Sequence, residues 1–390
     1  MKKEVKMKIY NIKVKAIENS RKENTIQIII KTNYGAFKTS APSGKSKGKY
    51  EVPAYTKNLR AEIEFLNQLQ LSEILCFRDL LKVEKICKGK LGANSLFALE
   101  ASLLKALAKK QGKELWEYLS GKHKKLPRPV GNAIGGGLHS RGINRKKPDF
   151  QEFLFIPNAK TFKQCVKINY KAYKFAKKYL SSSERNDEGA WETNKNNKDV
   201  LEIMNQIKEK IWDKYKEKVV IGVDVAGSSF FKESKYYYKN PVQKLDKRGQ
   251  IEHIKTLINQ YNLYYIEDPL NEDDFSGFKE LSKGKCFIVG DDLTTTNLQR
   301  LKKAVKIKAI KMIIIKPNQI GSLIKTKEVI DFAHKHKIKT IMSHRSGETE
   351  DNTIADLAVA WGCDFIKTGI YGKEREAKLK RVIEIEKGLK

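Results

Sequence analysis

Cysteine is sparse and poorly spaced for coordination: the five residues Cys76, Cys87, Cys165, Cys286 and Cys363 include no C-x-x-C pair. Cys286 and Cys363 lie in apolar surroundings typical of buried free thiols, so neither a disulfide framework nor a thiolate zinc site is expected. Long apolar runs are missing too. No stretch of about 18 uninterrupted apolar residues occurs, and the start at Met1-Lys2-Lys3-Glu4 lacks the apolar core of a secretory signal. No membrane span is predicted, and the chain reads as soluble and cytoplasmic. Acids are the third shortage: 46 Asp and Glu against 78 Lys and Arg leave a net charge of +32. Such a charge favours encounters with anionic ligands or nucleic acid. The lysines nevertheless spread along the whole chain without aromatic interleaving or a zinc-finger pattern. RNA binding therefore has charge behind it but no motif, and a lysine-biased proteome or high intracellular salt explains the excess at least as well.

What is present is enough for a sizeable core. At 390 residues and 40% hydrophobic content, the chain accommodates two domains, one of them a barrel of roughly 250 residues. In the first 120 residues, Lys6 to Ala16 and Thr25 to Thr32 alternate as antiparallel strands do, and Asn33-Tyr34-Gly35 turns the chain into Ala36 to Thr39. Leu59 to Leu69 and Ser95 to Lys109 then carry apolar residues at helical spacing, among them Leu96, Leu99, Leu103, Leu104 and Leu107. This part reads as a small α+β capping domain over residues 1–122, followed by a charged linker with two prolines around Gly121 to Pro129.

Over residues 127–390 a different pattern repeats: a short β-branched run, a polar residue at its end, then a helical stretch. The terminal residues are Asp224, Glu267, Asp291, Lys316, His344 and Lys367, at successive intervals of 43, 24, 25, 28 and 23. The shorter intervals suit one strand, one helix and two loops, so the fold class is α/β with a (β/α)8 barrel after the capping domain. The long interval leaves room for an extra hairpin, since Phe230 to Lys239 reads as strand around a turn.

Strand ends in such a barrel point into one mouth. Three carboxylates there, Asp224, Glu267 and Asp291, cannot all stay ionised side by side without a cation. Oxygen-only ligands favour Mg²⁺ over zinc. Lys316, at the end of an aliphatic run, is expected to have its charged form disfavoured and so to act as a base; a snorkelling lysine is the alternative. Lys367 is suited to gripping an anion. The run Ser343 to Asp351 adds a histidine, an arginine and hydroxyls in a polar turn; Arg345 and Ser346 suit a phosphate, whereas Glu348, Glu350 and Asp351 are expected chiefly to complement the next helix's N-terminus. Metal, base and phosphate grip together point to removal of a proton beside a carboxylate.

These residues, with Ala41 to Gly48, Glu51, Asn186-Asp187-Glu188-Gly189, Ile266 to Pro269, Gly290 to Leu293, Lys316 to Gly321 and Ile366 to Gly369, resemble the enolase (phosphopyruvate hydratase) family over nearly the full length, the run Ser343 to Asp351 most specifically. The resemblance implies an enolase-type barrel and reversible dehydration of 2-phosphoglycerate to phosphoenolpyruvate, with two Mg²⁺ per site. It implies Asp224, Glu267 and Asp291 as ligands of the tightly held ion and Ser46 as ligand of a second that arrives with substrate. Lys316 matches the base and Glu188 the acid, with Glu152 and His344 beside it and His139 on a closing loop. Arg345 and Ser346 match the phosphate contacts, Lys367 and Gln151 the carboxylate contacts. A homodimer or an assembly of dimers is implied as well.

Two departures stand out. Where the family usually reads Asp-Ser-Arg-Gly-Asn-Pro-Thr, this chain has Asn19 to Thr25, which bears on local packing and subunit contact. Extra residues within Ser140 to Pro148 are expected to make the closing loop longer and more basic. Two other functions stay open at this stage: a superfamily lyase acting on an unphosphorylated carboxylate, against which Arg345, Ser346 and the Ser46 loop argue, and a paralogue with an RNA- or surface-binding role.

Overall fold

Residues 6–45, 48–120, 125–143, 146–180 and 183–389 are described by the structure, a computed structural model of the chain. The first strands, β1 (Ile9–Glu18), β2 (Asn24–Thr32) and β3 (Gly35–Ser40), form an antiparallel meander. Alternation along β2 puts Ile26, Ile28 and Ile30 on one face, where all three are fully buried. Helices α1 (Leu59–Gln68), α2 (Leu80–Cys87), α3 (Ala93–Lys110) and α4 (Leu115–Leu119) follow. α3 covers the apolar face of β2 and β3 with Leu99, Leu103 and Leu107 buried beneath it. α1 starts where the Asn58 side chain accepts from Ala61 N at 2.9 Å. β1 to β3, α1 and α3 match the sequence expectation to within a few residues at their ends, whereas α2 and α4 have no counterpart in it. Part of the expected linker, residues 121–124, lies outside the described residues.

The barrel strands are β4 (Arg128–Gly135), β5 (Glu152–Pro157) and β6 (Val219–Asp224), then, after a side sheet of β7 (Phe231–Lys232), β8 (Lys235–Lys239) and β9 (Val242–Leu245), β10 (Tyr265–Glu267), β11 (Phe287–Gly290), β12 (Met312–Ile315), β13 (Lys339–Ser343) and β14 (Phe365–Lys367). They close in the order β10-β11-β12-β13-β14-β4-β5-β6. The side sheet fills the long interval before Glu267, as the hairpin reading expected. Around the barrel lie α5 (Phe162–Leu180), α6 (Asn197–Tyr215), α7 (Lys247–Tyr261), α8 (Phe275–Leu281), α9 (Leu298–Lys306), α10 (Pro317–Ile320), α11 (Leu323–Lys335), α12 (Thr353–Ala360) and α13 (Lys373–Gly388). None of the described helices is long and apolar enough to cross a membrane.

Regular alternation fails at one place. β5 runs antiparallel to both β4 and β6, and α5 and α6 both fall between β5 and β6. Because β5 is reversed, its first residue, Glu152, pairs with the last residue of β6, Asp224, and so reaches the mouth formed by the C-terminal ends of the other strands.

Both faces of the barrel strands are buried, which is why they read as continuous apolar runs. Met312 and Ile314 of β12 join Tyr265, Val289, Ile341 and Phe365 in one apolar cluster, while Ile313, Ile315, Ile266 and Ile366 belong to the larger cluster that includes the surrounding helices. The interior parity continues through Glu267, Asp291, Lys316 and Lys367, two residues beyond Tyr265, Val289, Ile314 and Phe365, so the pleat itself turns these side chains inward.

Candidate active site

On one side of the mouth the charges interlock. Lys367, buried on β14, places Nζ 2.8 Å from Glu267 Oε2, 3.2 Å from Asp224 Oδ2 and 3.3 Å from Glu152 Oε2. Burial opposes its charge, but these carboxylates hold the ammonium well above the usual lysine range. Burial also pushes the Asp224 carboxyl up to about 6 and, with Asp224 as neighbour, the Glu267 carboxyl up to about 8, in both cases against the pull of Lys367. Tyr265 OH donates to Glu267, and Gln151 Nε2 donates to Asp224 Oδ2 at 3.3 Å. Lys316, one residue past β12, pairs with Asp291, whose other oxygen accepts from Gln319 Nε2 at 3.3 Å. Here the sequence expectation is corrected. Burial is the largest single influence and disfavours the Lys316 ammonium, but the carboxylates of Asp291 and Glu267 together more than offset it, so its pKa stands above the ordinary value rather than below.

The opposite side carries a second set, with ligand atoms of His139, Glu152 and Glu188 all within 4.8 Å of one another. His139 Nδ1 lies 3.1 Å from Glu188 Oε1, and Asn132 Nδ2 donates to Glu188 Oε2 at 3.0 Å. Despite its burial, His139 is raised to about 9 by the Glu188 charge. Glu188 is itself held well below the carboxylate range by His139, although burial opposes this. Burial and the Glu188 charge lift Glu152 to about 8. In this arrangement the available protons thus sit on His139 and Glu152, around an ionised Glu188. The His344 imidazole is kept neutral by burial, and its backbone N–H donates to Lys367 O at 2.9 Å.

The run Ser343 to Asp351 forms the third wall. Arg345 Nη2 reaches both oxygens of Glu51, at 3.1 and 3.0 Å, while Ser346 Oγ accepts from Lys45 N at 2.8 Å and Arg21 Nη1 at 3.3 Å. Gly347 exchanges two backbone hydrogen bonds with Ser43, of 2.7 and 2.8 Å. A Cβ at residue 347 would come within 2.5 Å of Ser43 Oγ, so this approach requires glycine. The acids of this run divide differently from expectation. Asp351 alone caps, its Oδ1 accepting from Thr353 N at 2.9 Å at the start of α12. Glu348 instead ties the turn together, accepting from Arg345 N at 3.0 Å and pairing with the buried Lys378 at 2.7 Å. Glu350 pairs with exposed Lys373.

One cavity brings together His139, Gln151, Glu152, Glu188, Asp224, Lys316, His344, Arg345, Ser346 and Lys367 from the sequence-derived set. Its volume is only about 20 Å³, too small for a three-carbon phosphate, so entry of such a ligand requires the interlocked lysines or the rim to give way. Ser46 lies outside the described residues.

Asp224, Glu267 and Asp291 fit a hard divalent cation by donor chemistry: they are buried, on adjacent strands, and purely oxygen. Glu267 Oε1 has no hydrogen-bond partner among the described residues. They are not drawn together as tightly as the acidic set Asp268, Asp291 and Asp292, and the ammonium of Lys367 pairs with both Asp224 and Glu267. Sequence reasoning assigned no part to Asn132, Gln319, Arg21 or Lys45. Asn132 lies on the inward parity of β4 with Val130, which is the signal that marks it; the others meet the site only through tertiary contacts.

Comparison with known proteins agrees with this geometry. The family described as "Enolase, C-terminal TIM barrel domain" matches residues 123–390. The enolase of Thermoplasma acidophilum is 35% identical over 405 aligned residues, covering 99% of this chain and 100% of that one. The enolase of Picrophilus torridus is 36% identical over 98% of this chain and 99% of its own, and that of Methanocorpusculum labreanum 38% over 97% and 98%. With its barrel closed, its charged strand ends converging on one mouth and relatives of this similarity along almost its whole length, the chain belongs to the enolase family.

Proposed function

We propose that the protein is a hydro-lyase that interconverts 2-phosphoglycerate and phosphoenolpyruvate, Lys316 serving as base and Glu188, with Glu152 and His139, as the acid group. The observation that carries this reading is the placement of a lysine and a proton-holding carboxyl set in one cavity whose third wall carries Arg345 and Ser346. Mg²⁺ held by Asp224, Glu267 and Asp291, and a second ion reached by Ser46, would supply the positive charge that offsets the substrate carboxylate and the charge developing on it.

The chain's own residues do the remaining work. Lys316 takes the proton from carbon 2 as the neutral amine, after its ammonium has left Asp291 and given up its own proton to solvent. A proton from the Glu188, Glu152 and His139 set goes to the departing hydroxide on carbon 3, and His344, neutral and buried, lies beside that set. Lys367 and Gln151 orient the substrate carboxylate. Arg345 and Ser346 hold the phosphate, which orients the substrate relative to both groups. The division into residues 1–122 and 127–390, and a homodimeric assembly, belong to the same reading; light scattering tests the latter.

The decisive measurement is the appearance of phosphoenolpyruvate absorbance with purified protein, with and without EDTA. Mg²⁺-dependent turnover is expected. Turnover that ignores the chelator, or none at all, overturns the reading.

A further inference from the structure

The turn that carries Glu188 is built to an unusual degree from its own contacts. Asn186 N donates to Ala190 O at 2.9 Å, and Asn186 Oδ1 accepts from both Glu188 N and Ala190 N at 3.0 Å. Arg185 and Trp191 pair as an antiparallel bridge at its base. Behind that base lies a cluster outside the cavity. The Arg185 guanidinium sits 4.3 Å from the Trp191 ring centre and 4.0 Å from that of Tyr371. Tyr173, on α5, stacks on both rings, at 4.9 and 5.7 Å. Its hydroxyl accepts from Arg185 Nε at 2.7 Å and donates to Gly189 O at 2.7 Å. Gly189 has φ of +79°, and a Cβ there would come within 2.4 Å of Tyr371 O, so the backbone beside Glu188 is fixed against the same cluster.

We propose that Tyr173, oriented by Arg185, is a positioning residue that sets the placement of Glu188 over the mouth, and therefore governs the acid half of the reaction without touching the substrate. This rests on the reading of Glu188 as part of the acid group. The hydroxyl links α5 to Gly189, beside a second link in which Trp191 Nε1 donates to Tyr173 O at 2.9 Å and which Tyr173→Phe leaves in place, and both of the hydroxyl's roles are used. The cluster reaches the proton-donating side only, since Lys316 is held from β12 and Asp291. Burial keeps the phenol proton in place, with a pKa raised to about 12, so the donor persists across the working range of pH.

The test is Tyr173→Phe, which keeps the ring stack and deletes only the hydroxyl. Two rates are read on the full chain: dehydration of 2-phosphoglycerate, and exchange of its carbon-2 hydrogen with deuterium from solvent, followed by NMR. Dehydration kcat is expected to fall by about tenfold or more, with KM within about twofold of the parent, while the exchange rate stays near the parent value. Arg185→Lys, which loses the planar fork and much of the stack, is expected to move the ratio of the two rates in the same direction by less. A merely structural role would lower the melting temperature and leave that ratio unchanged, which overturns the proposal. A parent chain that neither exchanges nor dehydrates overturns the hydro-lyase reading first, and this one with it.

Discussion

Lys316 and Asp291 are held on their side of the mouth by the sheet, whereas Glu188 and His139 are held on theirs by turns. On the first side each residue continues the inward parity of a barrel strand whose neighbours are hydrogen-bonded to it, so its position is as fixed as the barrel. On the second, the turn's base is tied to β4 through Trp191, and Glu188 beyond it owes its place to Asn132, to Asn186, to the Tyr173 hydroxyl and to Arg375, whose Nη2 donates to Asp187 O at 3.2 Å and Ser346 O at 2.8 Å. The difference separates two kinds of precision. Strand-borne groups are set by the ladder itself; turn-borne groups depend in addition on a few side-chain contacts, each open to adjustment. A reaction whose two proton transfers are served from the two sides can have its acid step tuned while its base step stays put.

That contrast is broken or sharpened by substitution. Lys316→Ala is expected to abolish both carbon-2 exchange and dehydration, by about 10²–10⁴-fold; exchange that survives would put the base elsewhere. Glu188→Gln is expected to slow dehydration by a similar factor of about 10²–10⁴ while sparing exchange, and equal loss of both rates would erase the separation of the two sides. Lys378→Met leaves the buried Glu348 carboxylate without its cation and should cost about 3–5 kcal/mol in urea unfolding; a loss under about 1 kcal/mol would mean that the turn after β13 does not depend on that pair. Smallest is Lys45→Ala. Its ammonium lies 3.3 Å from Asp187 but is partly exposed, so the pair contributes at most about 1 kcal/mol, seen as a modest rise in KM that shrinks as salt is added. A change in dehydration kcat with no change in KM would instead tie Lys45 to the acid turn.

How far the sequence could be read follows the same division. Asp224, Glu267, Asp291, Lys316 and Lys367 were legible because each ends an apolar run, and runs at regular intervals imply strands with a shared direction. Glu152 was not legible in that way, since its strand is reversed and the residue stands at the beginning of the apolar run rather than its end. Glu188 and His139 sit in loops whose local sequence reads as turn, and only resemblance singled them out. Periodicity contains no signal for Tyr173 either: it is one of five aromatics along an amphipathic helix, and its hydroxyl acquires a partner only when the chain closes. The expected lowering of the Lys316 pKa failed because sequence order gives no distance. Burial was anticipated, but the carboxylates of Asp291 and Glu267 together outweigh it.

The two backbone hydrogen bonds between Ser43 and Gly347 have a consequence in time. The neighbouring bond from Lys45 N to Ser346 Oγ spans 301 residues of sequence, so this wall of the cavity is made from the two ends of the chain. During synthesis the meander and its covering helix can pack early, being close in sequence, and residues 53 and 54 bond to the start of α3, but Ser43 and Lys45 lack their partners Gly347 and Ser346 until β13 and its turn have left the ribosome. The phosphate-facing wall is therefore assembled late, and a nascent chain that already holds most of its charged strand ends has no complete pocket in which to use them.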